Sequence, residues 1–416
     1  MHAGVSASTD LAARHIFQIA RSAMEYQLGR FDSALRLLDG VDREQLASFD
    51  DPRERLTHSF RSWILSALDR FEEADAVAED GMASAHRDRQ HWAIHVFECW
   101  KGRHLLQLGR LDEANAALEG RFQPADAHQI VGVLDAAAVV ALGRVKLHLG
   151  DERGANDVAE IAKIMLRTSA PVVRRLAAWY LAAQAMALGD PAQAHEWLCA
   201  LGKEERLSLF PLFPLEAADD PLLVRIALAA GDEELACAVT VGAQQRHELN
   251  PKVPSLAGIA AHARGLLRES TEDIERAAAM LATGPRPLAL AAAVEDLGCA
   301  ELADGDRAGA ITAFDRVLRI YADAGATHDA ARVRQRLREL GVRRRVRSLD
   351  RPKVGWHALT DAELRVARLA AAGCTNRTIA NRLFVSPHTV NTHLRHVFDK
   401  LGISSRVDLT RIVERH

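Results

Sequence analysis

Several things are scarce in this sequence of 416 residues, and each scarcity closes a route. Aromatic residues make up only 5% of it, and runs of β-branched residues are few, so a sheet-built core is disfavoured and helix is expected almost throughout. Five cysteines stand at 99, 199, 237, 299 and 374 with no CxxC pair, which indicates neither a zinc site nor a disulfide framework. They are expected to be buried thiols. No apolar stretch reaches the roughly 18 residues of a membrane span, and Met1 to Asp10 lacks a charged start followed by an apolar block, so no membrane association and a cytoplasmic location are expected. Neither GxxxxGK[ST] nor GxGxxG occurs, so no backbone cradle for nucleotide phosphates is readable and no cofactor is expected. No Ser/His/Asp, Cys/His or paired-carboxylate constellation stands out, and no catalytic residue or enzymatic activity is assigned. His91, His95 and Cys99 fall four apart on one helix face, but Trp92 follows the first histidine where a zinc-protease motif has glutamate. No fourth ligand is evident, so the trio is read as packing and not as a metal site.

What the sequence has in abundance is one short punctuation mark. LGRFDSA from Leu28 returns as LDRFEEA from Leu68, LGRLDEA from Leu108, LGDERGA from Leu149, LGDPAQA from Leu188, AGDEELA from Ala230 and DGDRAGA from Asp304. The closing alanines are Ala34, Ala74, Ala114, Ala155, Ala194, Ala236 and Ala310, giving steps of 40, 40, 41, 39, 42 and then 74. The last step is two shorter ones around a degenerate unit, so the internal period is near forty. Each unit reads as helix, turn, helix. The glycine takes the left-handed conformation that ends the first helix, and the acid or proline after it suits the first turn of the second. Trp100, His104 and Leu108 form one stripe, matched by Leu111, Ala114 and Leu118 after the turn. One such hairpin cannot bury its own apolar face, so neighbours must stack into a curved superhelix with a long concave surface. Trp63, Trp92, Trp100, Trp179 and Trp197 are read as packing of that core. The array resembles tetratricopeptide-like sensor arrays, in particular those of large regulators related to the maltose-regulon activator, most visibly from Ala263 to Arg345. Its period differs from the standard 34, and the ATPase module of those larger relatives has no phosphate loop to represent it here. The resemblance implies an effector or protein partner at the array.

Charge divides the chain. Arg343 to His416 carries 15 Lys+Arg against 6 Asp+Glu, a balance of +9, leaving 38 bases against 50 acids, or −12, for the rest. The tail suits a polyanion and the body does not. The expected organisation is all-α: a helical repeat domain over 1–341, a basic linker over 342–357, and a small four-helix domain over 358–416. Within the tail, Thr360 and Glu363 can form a capping box, Gly373 stops the first helix, and Thr375 or Asn376 caps a second. Ser386 and Pro387 open a third, with Val390, Leu394, Val397 and Leu401 inward. Two helices joined by a tight turn, the second with a polar outward face, have the geometry of a helix-turn-helix.

The stretch LTDAELRVARLAAAGCTNRTIANRLFVSPHTVNTHLRHVFDKLGISSRVDL is similar to the LuxR-type helix-turn-helix, through LT..E, A.G..N..IA..L..S..TV..H and KL....R. It departs at Ala362, Thr378 and Asn391, where that family usually has Arg, Glu and Lys. The resemblance implies a regulator of transcription, more often an activator, binding double-stranded DNA as a homodimer, with RNA polymerase as a further partner. By matching positions, Asn391, Thr392 and Arg395 are the expected base contacts, Arg395 preferring guanine acceptors. Ser386, Thr389, His393 and Lys400 are the expected phosphate contacts, with Arg377 and Arg382 weaker candidates. Val407, Leu409, Ile412 and Val413 on the final helix are the expected dimer surface. The competing reading is an interaction scaffold or antagonist whose tail binds DNA weakly or only in a heterodimer.

Overall fold

The structure, a computed structural model, describes residues 2–39, 52–87, 89, 91–119, 133–202, 216–342, 355–383 and 385–413. No strand occurs among the described residues. The repeats form hairpins in chain order: α1 (His2–Gln27) with α2 (Phe31–Asp39), α3 (Pro52–Ala67) with α4 (Phe71–Arg87), α5 (His91–Gln107) with α6 (Leu111–Leu118), and α7 (Val133–Leu149) with α8 (Glu152–Met165). They continue as α9 (Pro171–Ala187) with α10 (Pro191–Cys199), α11 (Asp220–Ala229) with α12 (Glu233–Leu249), α13 (Pro254–Arg268) with α14 (Thr271–Leu281), and α15 (Pro287–Ala303) with α16 (Arg307–Asp323), closed by α17 (Thr327–Glu339). All seven punctuating alanines are buried, because their small side chains let the two helices of each hairpin approach closely. Among described side chains, Trp63, Trp100 and Trp179 lie in the core. The Tyr26, Trp63 and Trp100 rings pack in tilted contact across three hairpins, their centroids 4.7 and 4.9 Å apart, and Trp197 is partly buried.

The degenerate unit is legible in the backbone. Between Ala236 and Ala310 the α13–α14 turn places Glu269 at φ 52°, in the left-handed region that glycine holds in the other units except the α3–α4 turn, where Asp69 stands at φ 62°, at a cost of about 1 kcal/mol. Ile274 then stands where the closing alanine should be, and it is buried. Its bulk is accommodated on the facing helix by Gly265, where a Cβ would come within 2.6 Å of the Ile274 Cγ1. The large and small partners have exchanged helices, which is why the alanine signature vanishes there.

An open concave surface is not what the stacking produces. The turns of the early hairpins meet the starts of the late helices: Ser255 at the start of α13 bonds to Asp69, and Arg286 before α15 reaches Asp69 at 2.7 Å and the Ser66 carbonyl at 2.7 Å. Thr327 at the start of α17 donates to the Leu149 carbonyl at 2.6 Å, and Asn250 after α12 donates to the Gly29 carbonyl at 2.6 Å. The superhelix thus closes on itself, and its hollow becomes a cavity of about 340 Å³. The cysteines also differ from expectation. Cys99 is buried, Cys299 and Cys374 are intermediate, and Cys199 and Cys237 are exposed. The inward positions of α10 and α12 are held by Ala194 and Leu198, and by Ala236 and Val239, leaving both thiols on the outer faces.

The tail is a separate small core built from α18 (Asp361–Ala371), α19 (Asn376–Leu383), α20 (Pro387–Leu401) and α21 (Arg406–Val413). Most of the expected linker, 343–354, lies outside the described residues. A 3-10 turn at Trp356–Ala358 already belongs to the tail, since Trp356 packs on its core and the Gly355 amide donates to the Lys400 carbonyl at 2.6 Å.

Candidate nucleic-acid interface

Local chemistry sets up the helix pair. The Thr360 hydroxyl accepts from the Glu363 amide at 3.2 Å while the Glu363 carboxylate accepts from the Thr360 amide at 2.8 Å, a complete capping box at the start of α18. Thr375 Oγ1 accepts from the Thr378 amide at 3.2 Å and so starts α19. Ser386 Oγ accepts from the Thr389 amide at 2.9 Å, with Pro387 in the first helical position of α20. Val390, Leu394 and Val397 are buried against Val366, Ala367, Ile379 and Ala380. This anchors α20 as a rigid rod across the domain. Arg406 ties the α18–α19 turn from behind, donating to the Cys374 carbonyl at 2.8 Å and to Asn376.

The expected base contacts part company. Asn391 and Arg395 are exposed, four residues apart and therefore on one side of the rod. Thr392, expected beside them, is buried at 6% exposure. The reason is tertiary. α6 of the repeat array packs against α20, and Glu119 at its end lies 3.7 Å from the Arg395 Nη2 and 3.9 Å from the His396 Nε2. Arg395 and His396 are the residues one helical turn beyond Thr392, so the three share the face turned to the array.

The expected phosphate contacts are occupied with the fold. Ser386 Oγ and Thr389 Oγ1 lie 2.9 Å apart within the cap, and Thr389 is buried. His393 is buried at 7% exposure. Burial pushes its imidazole down to about 4, with the charge of Glu363 pulling the other way, so at neutral pH it has no cation to offer a phosphate. Lys400 Nζ sits 3.0 and 2.9 Å from the two carboxylate oxygens of Glu363, pinning the reading helix to the first helix of the domain. Burial alone would raise the Glu363 carboxyl, but the Lys400 ammonium and the Thr360 amide outweigh it and hold the group below its usual range. The exposed cations Arg365, Arg368, Arg377 and Arg382 on α18 and α19 stand free of the core; the first two carry no cue in the sequence that separates them from ordinary surface charge. Of the four expected interface residues, Leu409 is fully buried in the domain core and Val413 packs on it. Val407 is 62% exposed and Ile412 is intermediate.

In the array, the cavity wall mixes apolar side chains such as Leu222, Met186 and Leu288 with charges. Those charges mostly satisfy one another. Arg332 reaches Glu295 at 2.7 Å and Asp329 at 2.9 Å, His148 reaches Asp329 at 2.7 Å, and Arg225 reaches Asp296 at 3.2 Å. Asp219, fully buried against Arg144, is pushed up to about 6 by burial. His95 of the trio lies 3.3 Å from Asp135 and 3.7 Å from Cys99, while the His91 side chain is outside the described residues. No group of three His, Cys, Asp or Glu side chains suited to a metal ion occurs among the described residues. No described helix is long and apolar enough to cross a membrane.

Residues 357–413 match the family model described as bacterial regulatory proteins, luxR family. A putative HTH-type transcriptional regulator of Mycobacterium tuberculosis is 58% identical over 59 residues, covering 14% of this chain and 7% of that protein. The nitrate/nitrite response regulator protein homolog of Haemophilus influenzae is 45% identical over 53 residues, 13% of this chain and 26% of the relative. The chain therefore spans under a tenth of the length of these mycobacterial relatives. Among solved structures, a Rap protein complexed with Competence and Sporulation Factor aligns over 80% of this chain and 94% of its own, with 15% identity and a TM-score of 0.46.

Proposed function

We propose that the protein is a sequence-specific regulator of transcription that lays α20 in the major groove of double-stranded DNA, with Asn391 and Arg395 reading base edges. The observation that carries this reading is the exposed pair itself: two side chains with bidentate hydrogen-bonding capacity, one turn apart on a rod whose opposite side is locked into the core. Arg395 suits the O6 and N7 acceptors of guanine, and Asn391 suits adenine. Phosphate positioning falls to the exposed arginines of α18 and α19 rather than to Lys400 and His393, which the fold employs elsewhere. One such domain covers one half-site, so two copies act together, with Val407 and Ile412 as the side chains of α21 left for the contact between them.

The array acts as the sensor. Its hollow has the size of a small-ligand site and a wall that is part apolar and part charged, which favours an effector with both characters. The decisive experiment selects bound duplexes from a random pool and repeats the binding with Arg395→Ala. A loss of about 1 to 3 kcal/mol, with relaxed preference at one base position, supports the reading. Equal, weak binding to all sequences by both proteins overturns it in favour of a scaffold. A thermal-shift screen of the full chain against metabolites and short peptides tests the sensor role.

A further inference from the structure

The burial of Thr392 is an anomaly for a helix-turn-helix considered alone. At 3.6 residues per turn it lies about 200° around α20 from Val390, on the side opposite the inward stripe of Val390, Leu394 and Val397, where a side chain belongs in water. It is instead 6% exposed, and what stands against that side is α6. Glu119 reaches both Arg395 and His396, and His396 Nδ1 lies 3.8 Å from Glu363 in its own domain, so this histidine bridges the two folded units. Glu113 on the same short helix is near enough for its charge to act on His393.

Glu119 is built into the array. Lys146 Nζ on α7 lies 3.0 Å from Oε1, and Asn115 Nδ2 donates to Oε2 at 3.3 Å. A held carboxylate meeting the guanidinium of Arg395 presents the charge and acceptor geometry that a phosphate or a guanine edge would present.

Resting on the DNA-binding reading above, we propose that the acidic end of α6 is an intramolecular docking site for the reading helix, and that the closed chain excludes the duplex. The two occupants compete, since α6 lies along Thr392, Arg395 and His396, the flank of α20 that includes one of the two base-reading side chains, and a duplex seated there meets α6. The latch is also weak. The Arg395 side chain remains 62% exposed, and such solvent-facing pairs are individually weak. The apparent affinity for DNA falls by the fraction of molecules that are open, an amount an effector can reverse. α7 is placed to transmit that reversal, because Lys146 holds Glu119 while Arg144, Leu147 and His148 of the same helix line the cavity.

Glu119→Gln in the full chain tests this with little damage. The amide keeps the size and the acceptor oxygen, and Lys146 retains Asp151 at 2.9 Å. Two readouts are taken: amide hydrogen exchange over 391–397, and fluorescence anisotropy with a labelled random-sequence duplex of about 30 base pairs at low salt. The expected result is faster exchange in α20, unchanged exchange in α18, and binding about two- to tenfold tighter than wild type. Glu119→Lys, which repels Arg395, moves both readouts further in the same direction. Identical exchange and identical affinity in all three proteins overturn the closed state while leaving the DNA-binding reading intact. Accelerated exchange with no duplex binding by any form supports the docking contact and overturns the DNA-binding reading instead.

Discussion

The array and the tail handle charge in opposite ways. In the array, acids and bases are drawn inward and spent on one another: Arg246 and Asp220 are each 2% exposed as a pair, and the cavity wall is a chain of matched partners. In the tail the inward carboxylate of Glu363 fastens the helices through Lys400 and His396, while Arg365, Arg368, Arg377, Arg382 and Arg411 are exposed. The difference separates two kinds of charged residue that look alike in a sequence. Charges in the array hold hairpins in register across the closed superhelix. Those on the tail are left over from folding and are available to a polyanion. The two cores are distinct clusters, so each side of the comparison can be broken without the other.

The largest effect is expected from Arg246→Ala, which strands the Asp220 carboxylate at 2% exposure and costs the array about 3 to 5 kcal/mol. Calorimetry of the full chain is expected to show the array transition falling while the tail transition stays in place. Next comes a pH effect confined to the tail. The folded-state value of His393 lies near 4, below its ordinary 6.5. Its contribution is therefore complete above 6.5 and is lost as the pH falls toward 4, because the unfolded chain takes up a proton the folded one refuses. The displacement corresponds to about 3 kcal/mol. Glu363, held low, adds a further loss below its ordinary 4.5. Melting the tail between pH 7 and 4 checks this, and His393→Leu is expected to flatten the upper part of the profile only.

Gly265→Ala sharpens the comparison on the array side. The added methyl meets Ile274 and is expected to cost about 1 to 3 kcal/mol. Ile274→Ala in the same chain is expected to return part of it in a double-mutant cycle, whereas Gly231→Ala, with nothing within 4 Å, offers no such partner to repair. The smallest effect is expected from Ser386→Ala, which removes the cap of α20 and lowers tail stability by about 1 kcal/mol, read as a small shift of the tail transition alone.

Much of this was legible from residues. The seven turns are where the punctuation puts them, and α18, α19 and α20 begin at the Thr360, Thr375 and Ser386 caps, because capping and left-handed turns are settled within a few residues of chain. The degenerate unit, seventh in chain order, showed in the sequence only as the doubled step between Ala236 and Ala310, since Ile274 and Gly265 compensate across helices and neither resembles the repeat alone. Thr392, His393 and Lys400 match the reading helix of a related domain in position. Their burial and partners come from α6 and α18, segments remote from them in the chain.

Helix periodicity, caps, turn handedness and the division of charge were determined by the sequence itself, since each depends on neighbours within a turn or on simple counting. Closure of the superhelix, the cavity within it and the packing of α6 on the Thr392 side of α20 were decided only in three dimensions. They depend on contacts between residues far apart in the chain, such as Glu119 with Arg395, 276 positions away, and no local preference along the chain encodes where such partners meet.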